Sequence, residues 1–151
     1  MSQSLSKIWT HLVFSTKERF PFLSDETVRH DMDVYLANML KLNNCPTLQV
    51  GGVSDHVHLL FVLSKNHSIA SIVWGIKRPS SKWAKRQLPQ LRKFHWQDGY
   101  GAFSVSESDV EHVQKYILNQ EEHHRKKSFQ EEFRSFLKKY KIEYDERYVW
   151  D

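Results

Sequence analysis

The chain has 151 residues, 40% of them apolar, enough to close one hydrophobic core and too few to require a second domain. Its 22 lysines and arginines against 18 acidic residues leave a net charge of +4, a balance that permits a polyanionic partner without demanding one. The single cysteine, Cys45, excludes an intrachain disulfide, the polar start of the chain lacks the apolar core of a secretory signal, and no apolar run reaches the roughly 18 residues of a membrane span. One domain over residues 1–151, cytoplasmic and without membrane contact, is therefore expected.

Ile8 to Ser15 is rich in β-branched and aromatic residues and reads as a strand, followed by a polar loop with Lys17 and Arg19. Ser24 is placed to cap a helix over residues 25–42, in which Val28, Met32, Tyr35, Leu36, Met39 and Leu40 recur at three- and four-residue spacing. Residues 47–53 and 56–63 then read as an antiparallel hairpin. In its second strand, alternation puts His56 and His58 on one side and Val57, Leu59 and Phe61 on the other, so two imidazoles converge on one spot of a rigid element. Imidazoles held this way ligate divalent cations, yet two nitrogens leave a site incomplete, and a bare His-x-His is also what two surface histidines produce.

Ser68 opens a second helix with Ile69, Ile72, Val73 and Ile76 on its apolar face. Pro79 removes a helical hydrogen bond and predicts a kink or break, with a second helical piece over residues 80–87. Phe94 to Trp96 and Gly101 to Val105 are expected to pair around Gln97-Asp98-Gly99. The order strand, helix, strand, strand, helix, strand fits the α+β class: a ferredoxin-like antiparallel sheet with helices on one face, followed by C-terminal helices.

The first of those later helices starts at an apparent capping box, Ser108 to Glu111, and buries Val110, Val113 and Ile117. On it Tyr116 and Gln120, four residues apart, present a phenol and an amide together, although packing and solvation account for such a pair equally well. The basic run His123 to Lys127 suits a helix C-terminus, and His123 is a substitute ligand if it lies near the tyrosine. A second capping box, Ser128 to Glu131, opens a helical extension over residues 128–151. Its stripe of Phe129, Phe133, Phe136, Leu137 and Tyr140 needs a partner on its own domain or across a dimer. The aromatic end, residues 142–150, is expected to dock on the body. Tyr140, Tyr144 and Tyr148 are rival nucleophiles, but none has an amide partner four residues on.

Lys77, Arg78, Lys82, Lys85, Arg86, Arg92 and Lys93 place seven cations within 17 positions, interleaved with Trp74 and Trp83. Cations neutralise phosphates and indoles stack on unpaired bases, while a solvated helix face with Trp74 in the core gives the same pattern.

Taken together these residues resemble the HUH-type single-tyrosine transposases of small bacterial insertion sequences, including their repeat-associated relatives. The resemblance spans nearly the whole chain. It rests on residues 11–17 (HLVFSTK), 55–60 (DHVHLL), 77–83 with its paired serines, 96–104 (WQDGYGAFS) and 116–120 (YILNQ). It implies a homodimer with shared active sites that cleaves and rejoins single-stranded DNA at hairpin ends. Tyr116 would then be the nucleophile of a 5′-phosphotyrosine intermediate, His56, His58 and Gln120 would hold Mg²⁺ or Mn²⁺, and the basic segment with Trp83 would face the DNA. Imidazoles are soft for Mg²⁺, so Mn²⁺ is expected to work at least as well. Pro79 departs from the family pattern. Two other readings are a non-catalytic protein that binds single-stranded DNA hairpins and a metal-dependent phosphodiesterase using water. The second usually wants more carboxylates than the sequence places near His56 and His58.

Overall fold

The computed structural model describes residues 2–151. Four strands, β1 (Trp9–Ser15), β2 (Thr47–Gly52), β3 (His56–Val62) and β4 (Gly101–Val105), form one antiparallel sheet in the order β2-β3-β1-β4. Helix α1 (Glu26–Leu42) joins β1 to β2, and α2 (Ile69–Lys85) joins β3 to β4. This is the ferredoxin-like order and strand arrangement that the sequence predicts.

The register divides the sheet into two unlike faces. Val13 lies opposite His58, Ser15 opposite His56 and His11 opposite Leu60. Alternation then sends Leu12, Phe14, Val57, Leu59 and Phe61 to one side, where they bury against Met32, Leu36 and Leu40 of α1 and Ile72 and Ile76 of α2. The opposite side carries His11, Val13, His56, His58 and Phe103. It is covered by α3 (Val110–Leu118), α4 (Gln120–His124) and α5 (Phe129–Lys139). Helices thus close both faces, one apolar and one rich in imidazole.

Local departures from the sequence reading have local causes. Helix α1 is capped by Asp25, whose carboxylate accepts from the Val28 N–H at 2.9 Å, while the Ser24 hydroxyl donates to the Pro21 carbonyl at 2.7 Å. Helix α2 runs through Pro79 without the expected break. Both of its halves are pinned: Ile72 and Ile76 before the proline, and Ser80 and Ala84 after it, are buried. The Trp96 indole N–H also donates to the Ser80 hydroxyl at 2.9 Å. A lost helical hydrogen bond does not outweigh that packing.

Residues 94–96 do not form a hairpin with β4. They follow the end of β1 instead, with the Gln97 N–H donating to the Ser15 carbonyl at 2.9 Å and the Lys17 N–H to the His95 carbonyl at 2.8 Å. Burial of Phe94 and of Trp96, whose ring lies edge-on to Phe14 with centroids 4.8 Å apart, holds them there.

Ser108 does not cap α3. The chain enters through a 3-10 turn, Glu107–Asp109, and Ser108 pairs with the Ser106 hydroxyl. Ser128 does cap α5, accepting from the Glu131 N–H at 3.2 Å. The aromatic stripe of α5 finds its partner on its own sheet: Phe129, Phe133 and Leu137 bury against Val13 and Phe103, and Val149 and Trp150 dock beside them. Among the described residues no helix is long and apolar enough to cross a membrane.

Candidate metal and tyrosine site

The imidazole-bearing face of the sheet holds the chemistry. His56 and His58 are both 0% exposed, and each ring is anchored through Nδ1. His56 Nδ1 lies 2.7 Å from an Asp55 carboxylate oxygen, and His58 Nδ1 lies 2.8 Å from Nε2 of the buried His11. His124 of α4 is fixed in the same way, its Nδ1 lying 2.6 Å from the Lys127 carbonyl. A carbonyl and a carboxylate only accept, so Nδ1 of His56 and of His124 carries a proton and Nε2 is left to face the centre.

At that centre sits Glu132 of α5, only 1% exposed. Its Oε1 is 2.9 Å from His58 Nε2 and 3.6 Å from His56 Nε2, and its Oε2 is 3.0 Å from His124 Nε2. The ligating atoms of His56, His58, His124 and Glu132 all lie within 4.8 Å of one another, a group that can hold a metal ion. Gln120 joins it, with Oε1 3.2 Å from His56 Nε2 and the amide nitrogen 3.3 Å from the Tyr116 carbonyl. The Tyr116 hydroxyl donates to Glu132 Oε2 and lies 3.0 Å from His123 Nε2. Helix α3 therefore delivers the phenol to the histidines of the same chain.

Charge follows burial and contact. Burial alone would raise the Glu132 carboxyl, but hydrogen bonds from His124 and His58 and the charges of His58 and His56 hold it well below the usual carboxylate range. Burial and the neighbouring Glu132 charge push the Tyr116 phenol well above its ordinary value. Burial lowers His58 and His11, whereas at His124 the bond to Glu132 outweighs burial and raises it. The centre is thus an ionised carboxylate facing a protonated phenol.

The structure gathers Tyr116, His56, His58 and Gln120 as the sequence places them together, and it brings in His123 beside the phenol. The basic segment lies elsewhere, since α2 covers the apolar face. Arg78, Lys82, Arg86, Arg92 and Lys93 are exposed and Lys85 is half-buried. Lys77 turns inward and donates to the Gln97 and Gly99 carbonyls at 2.8 and 2.6 Å, and burial lowers its pKa to about 8. Trp83 stacks on Tyr35 with ring centroids 5.3 Å apart, against the core. Trp74 is the open indole, 64% exposed, with the Arg78 guanidinium 5.1 Å from its ring centroid. In the loop after β1, Lys17 is exposed, and Arg19 is half-buried with its guanidinium 5.8 Å from the Trp150 ring centroid. Of the rival tyrosines, Tyr140 donates to the Ser104 carbonyl at 2.8 Å, and Tyr144 and Tyr148 are exposed near the end of the chain.

Two members of the centre escape the sequence reading. His124 hides in a basic run that helix-end electrostatics explains. Glu132 left one signal: it is the lone acid three residues after Phe129 and four before Phe136, inside the apolar stripe of its helix.

Fold and centre together set the chain among DNA-processing transposases. It belongs to the IS200-like transposase family, whose model matches residues 4–120. The ISDra2 transposase TnpA of Deinococcus radiodurans is 28% identical over 115 residues, which span 73% of this chain and 81% of that protein. A crystal structure of a candidate transposase from Deinococcus radiodurans R1 superposes with a TM-score of 0.60 at 26% identity, covering 80% of this chain and 98% of that one. A REP-associated tyrosine transposase bound to a REP hairpin shares the fold, with a TM-score of 0.56 at 16% identity over 82% of this chain and 74% of its own. His124 and Glu132 lie beyond the family-matched residues.

Proposed function

We propose that this transposase cleaves and rejoins single-stranded DNA with Tyr116 as its nucleophile. The observation that carries the reading is that, within one chain, the Tyr116 ring lies beside His58 with centroids 5.8 Å apart and its hydroxyl donates to Glu132, whose other oxygen meets His58. The tyrosine oxygen attacks phosphorus, the bond from phosphorus to the 3′ oxygen breaks, and the 5′ phosphate is left on the tyrosine. The phenolic proton is released to solvent as the bond to phosphorus forms, since the Glu132 carboxyl is held too acidic to keep it, and the departing 3′ oxygen takes a proton from solvent. No water is consumed, so attack by a 3′ hydroxyl on the phosphotyrosine reverses the step and rejoins the strand.

His56, His58 and Gln120 suit Mg²⁺ or Mn²⁺, since two anchored Nε2 atoms and an amide oxygen converge. A bound cation would polarise the phosphate as a Lewis acid and template. A phenol raised above its ordinary pKa needs such help, and His123 and Glu132 hold it in place for attack.

For DNA, Arg78, Lys82, Lys85, Arg86, Arg92 and Lys93 offer phosphate contacts and Trp74 a stacking surface, while Lys77 and Trp83 brace that surface from behind. A DNA hairpin is the favoured partner, since the REP-associated relative holds one. A homodimer, which the resemblance implies, would present two such centres.

The test incubates the protein with labelled single-stranded hairpins and Mn²⁺ and looks for a covalent adduct on denaturing gels. Tyr116→Phe and His58→Ala should each abolish it. Cleavage surviving Tyr116→Phe would instead point to attack by water, and binding without any adduct to a non-catalytic hairpin-binding protein.

A further inference from the structure

We propose that Glu132 and His124 are themselves metal ligands, so that α5 completes a site of three imidazoles and one carboxylate that favours Mn²⁺ over Mg²⁺. This rests on the proposal that His56 and His58 hold a cation, and it adds ligands from outside the family-matched residues 4–120.

Three features carry it. The first is orientation. His56, His58 and His124 are each tied back through Nδ1, to a carboxylate, a second imidazole and a backbone carbonyl, and all three turn Nε2 toward the same carboxylate. Outer partners that fix the far nitrogen are what metal-binding imidazoles characteristically have. The second is spacing. Ligand atoms about 2.1 Å from an ion stand about 3.0 Å apart at the corners of an octahedron and about 3.4 Å apart in a tetrahedron. His58 Nε2 and His56 Nε2 stand 2.9 and 3.6 Å from Glu132 Oε1, and His124 Nε2 stands 3.0 Å from Glu132 Oε2. The third is that Gln120 is drawn into the same group: its Oε1 faces His56 Nε2 at 3.2 Å, and its amide N–H donates to Glu132 Oε2 at 3.5 Å.

Glu132 is arranged to do two things. Oε1 faces the paired histidines, while Oε2 faces His124 and the Tyr116 hydroxyl. One carboxylate therefore links the cation site to the phenol and ties α5 to both. Donor chemistry sets the preference: imidazole suits first-row transition cations, and the carboxylate keeps Mn²⁺ among them, whereas Mg²⁺ prefers oxygen and retains its water.

Calorimetric titration of Mn²⁺ and Mg²⁺ into the DNA-free full chain tests this without reference to cleavage. Glu132→Gln and His124→Ala should each weaken Mn²⁺ binding by about tenfold or more, Tyr116→Phe should leave it within about threefold, and the unaltered protein should prefer Mn²⁺ to Mg²⁺ by about a hundredfold. Should Glu132→Gln not fold, as judged by its unfolding curve in chelator, His124→Ala and pulsed EPR of the Mn²⁺-loaded unaltered protein carry the test, with three coordinated imidazoles expected. Unchanged or tighter binding in Glu132→Gln, or only two imidazoles, would overturn the proposal and make Glu132 an internal occupant that the cation must displace. Binding indifferent to His58→Ala would overturn the histidine-pair reading as well. Adduct formation, read separately, decides the role of Tyr116.

Discussion

Two carboxylates in this chain are shielded from solvent to opposite effect, Glu132 fully and Asp33 in part. Glu132 has imidazole and phenol partners and stays ionised, whereas Asp33 of α1 has one oxygen buried without a hydrogen bond, and burial raises its pKa to about 7 against the partial offset of His30 and Arg29. A carboxyl raised in the folded state contributes stability that is fully present below its unfolded value of about 3.8 and is lost as pH rises through about 7. Asp33→Asn should therefore stabilise the fold by about 1–3 kcal/mol at pH 8 and leave it nearly unchanged at pH 3.5, measured by urea unfolding at both. Equal gains at the two pH values would mean that the charge is not the cause. Glu132 runs the other way. Its carboxyl is held low, so its contribution is present above its ordinary value of 4.5 and is lost on acidification, which should loosen α5 first. The shared face of His56 and His58 was legible because strand alternation is a local rule, and Tyr116 and Gln120 lie together although α3 ends at Leu118 and Gln120 opens α4 rather than continuing one helix. Glu132 and His124 were not legible, since they reach His58 and His56 only after α4 and α5 fold back over the sheet.

At the scale of elements, α5 depends on close approach to β4. A Cβ on Gly101 would stand 2.6 and 2.9 Å from Phe133 ring carbons. Gly101→Ala should cost about 1–3 kcal/mol by overpacking. It should also weaken Mn²⁺ binding, because the displaced helix carries Glu132; a variant with reduced thermal stability but unaltered Mn²⁺ affinity would separate helix docking from the cation. The same dependence on neighbours explains where the sequence reading went astray. Pro79 obeyed packing on both sides of it rather than its own helix-breaking tendency, and residues 94–96 were drawn to β1 by Phe14. The helix periodicities of α1 and α5 and the two strands of the β2–β3 hairpin followed from local pattern, and these elements formed as expected.

On the scale of the whole molecule, the sheet separates an apolar layer carrying the basic surface from the layer that holds the centre. Trp74→Ala should weaken binding of a single-stranded hairpin by about 1–3 kcal/mol in fluorescence anisotropy, while Trp83→Ala should chiefly lower the melting temperature, since that indole packs on Tyr35. The phenol and the histidines meet within one chain. Mixing Tyr116→Phe with His58→Ala protein should then restore no adduct, and restoration would show that α3 serves a partner subunit.

The pairing of Val13 with His58 and of Ser15 with His56 has one last consequence. Insertion or deletion of a single residue inside β3 would rotate every later side chain to the other face, driving an imidazole among Leu12, Phe14 and Leu36 and turning Leu59 toward Glu132. Point substitutions at His56 or His58 can abolish chemistry and spare the fold. A change in strand length cannot, so the length of this strand is constrained by stability and chemistry together.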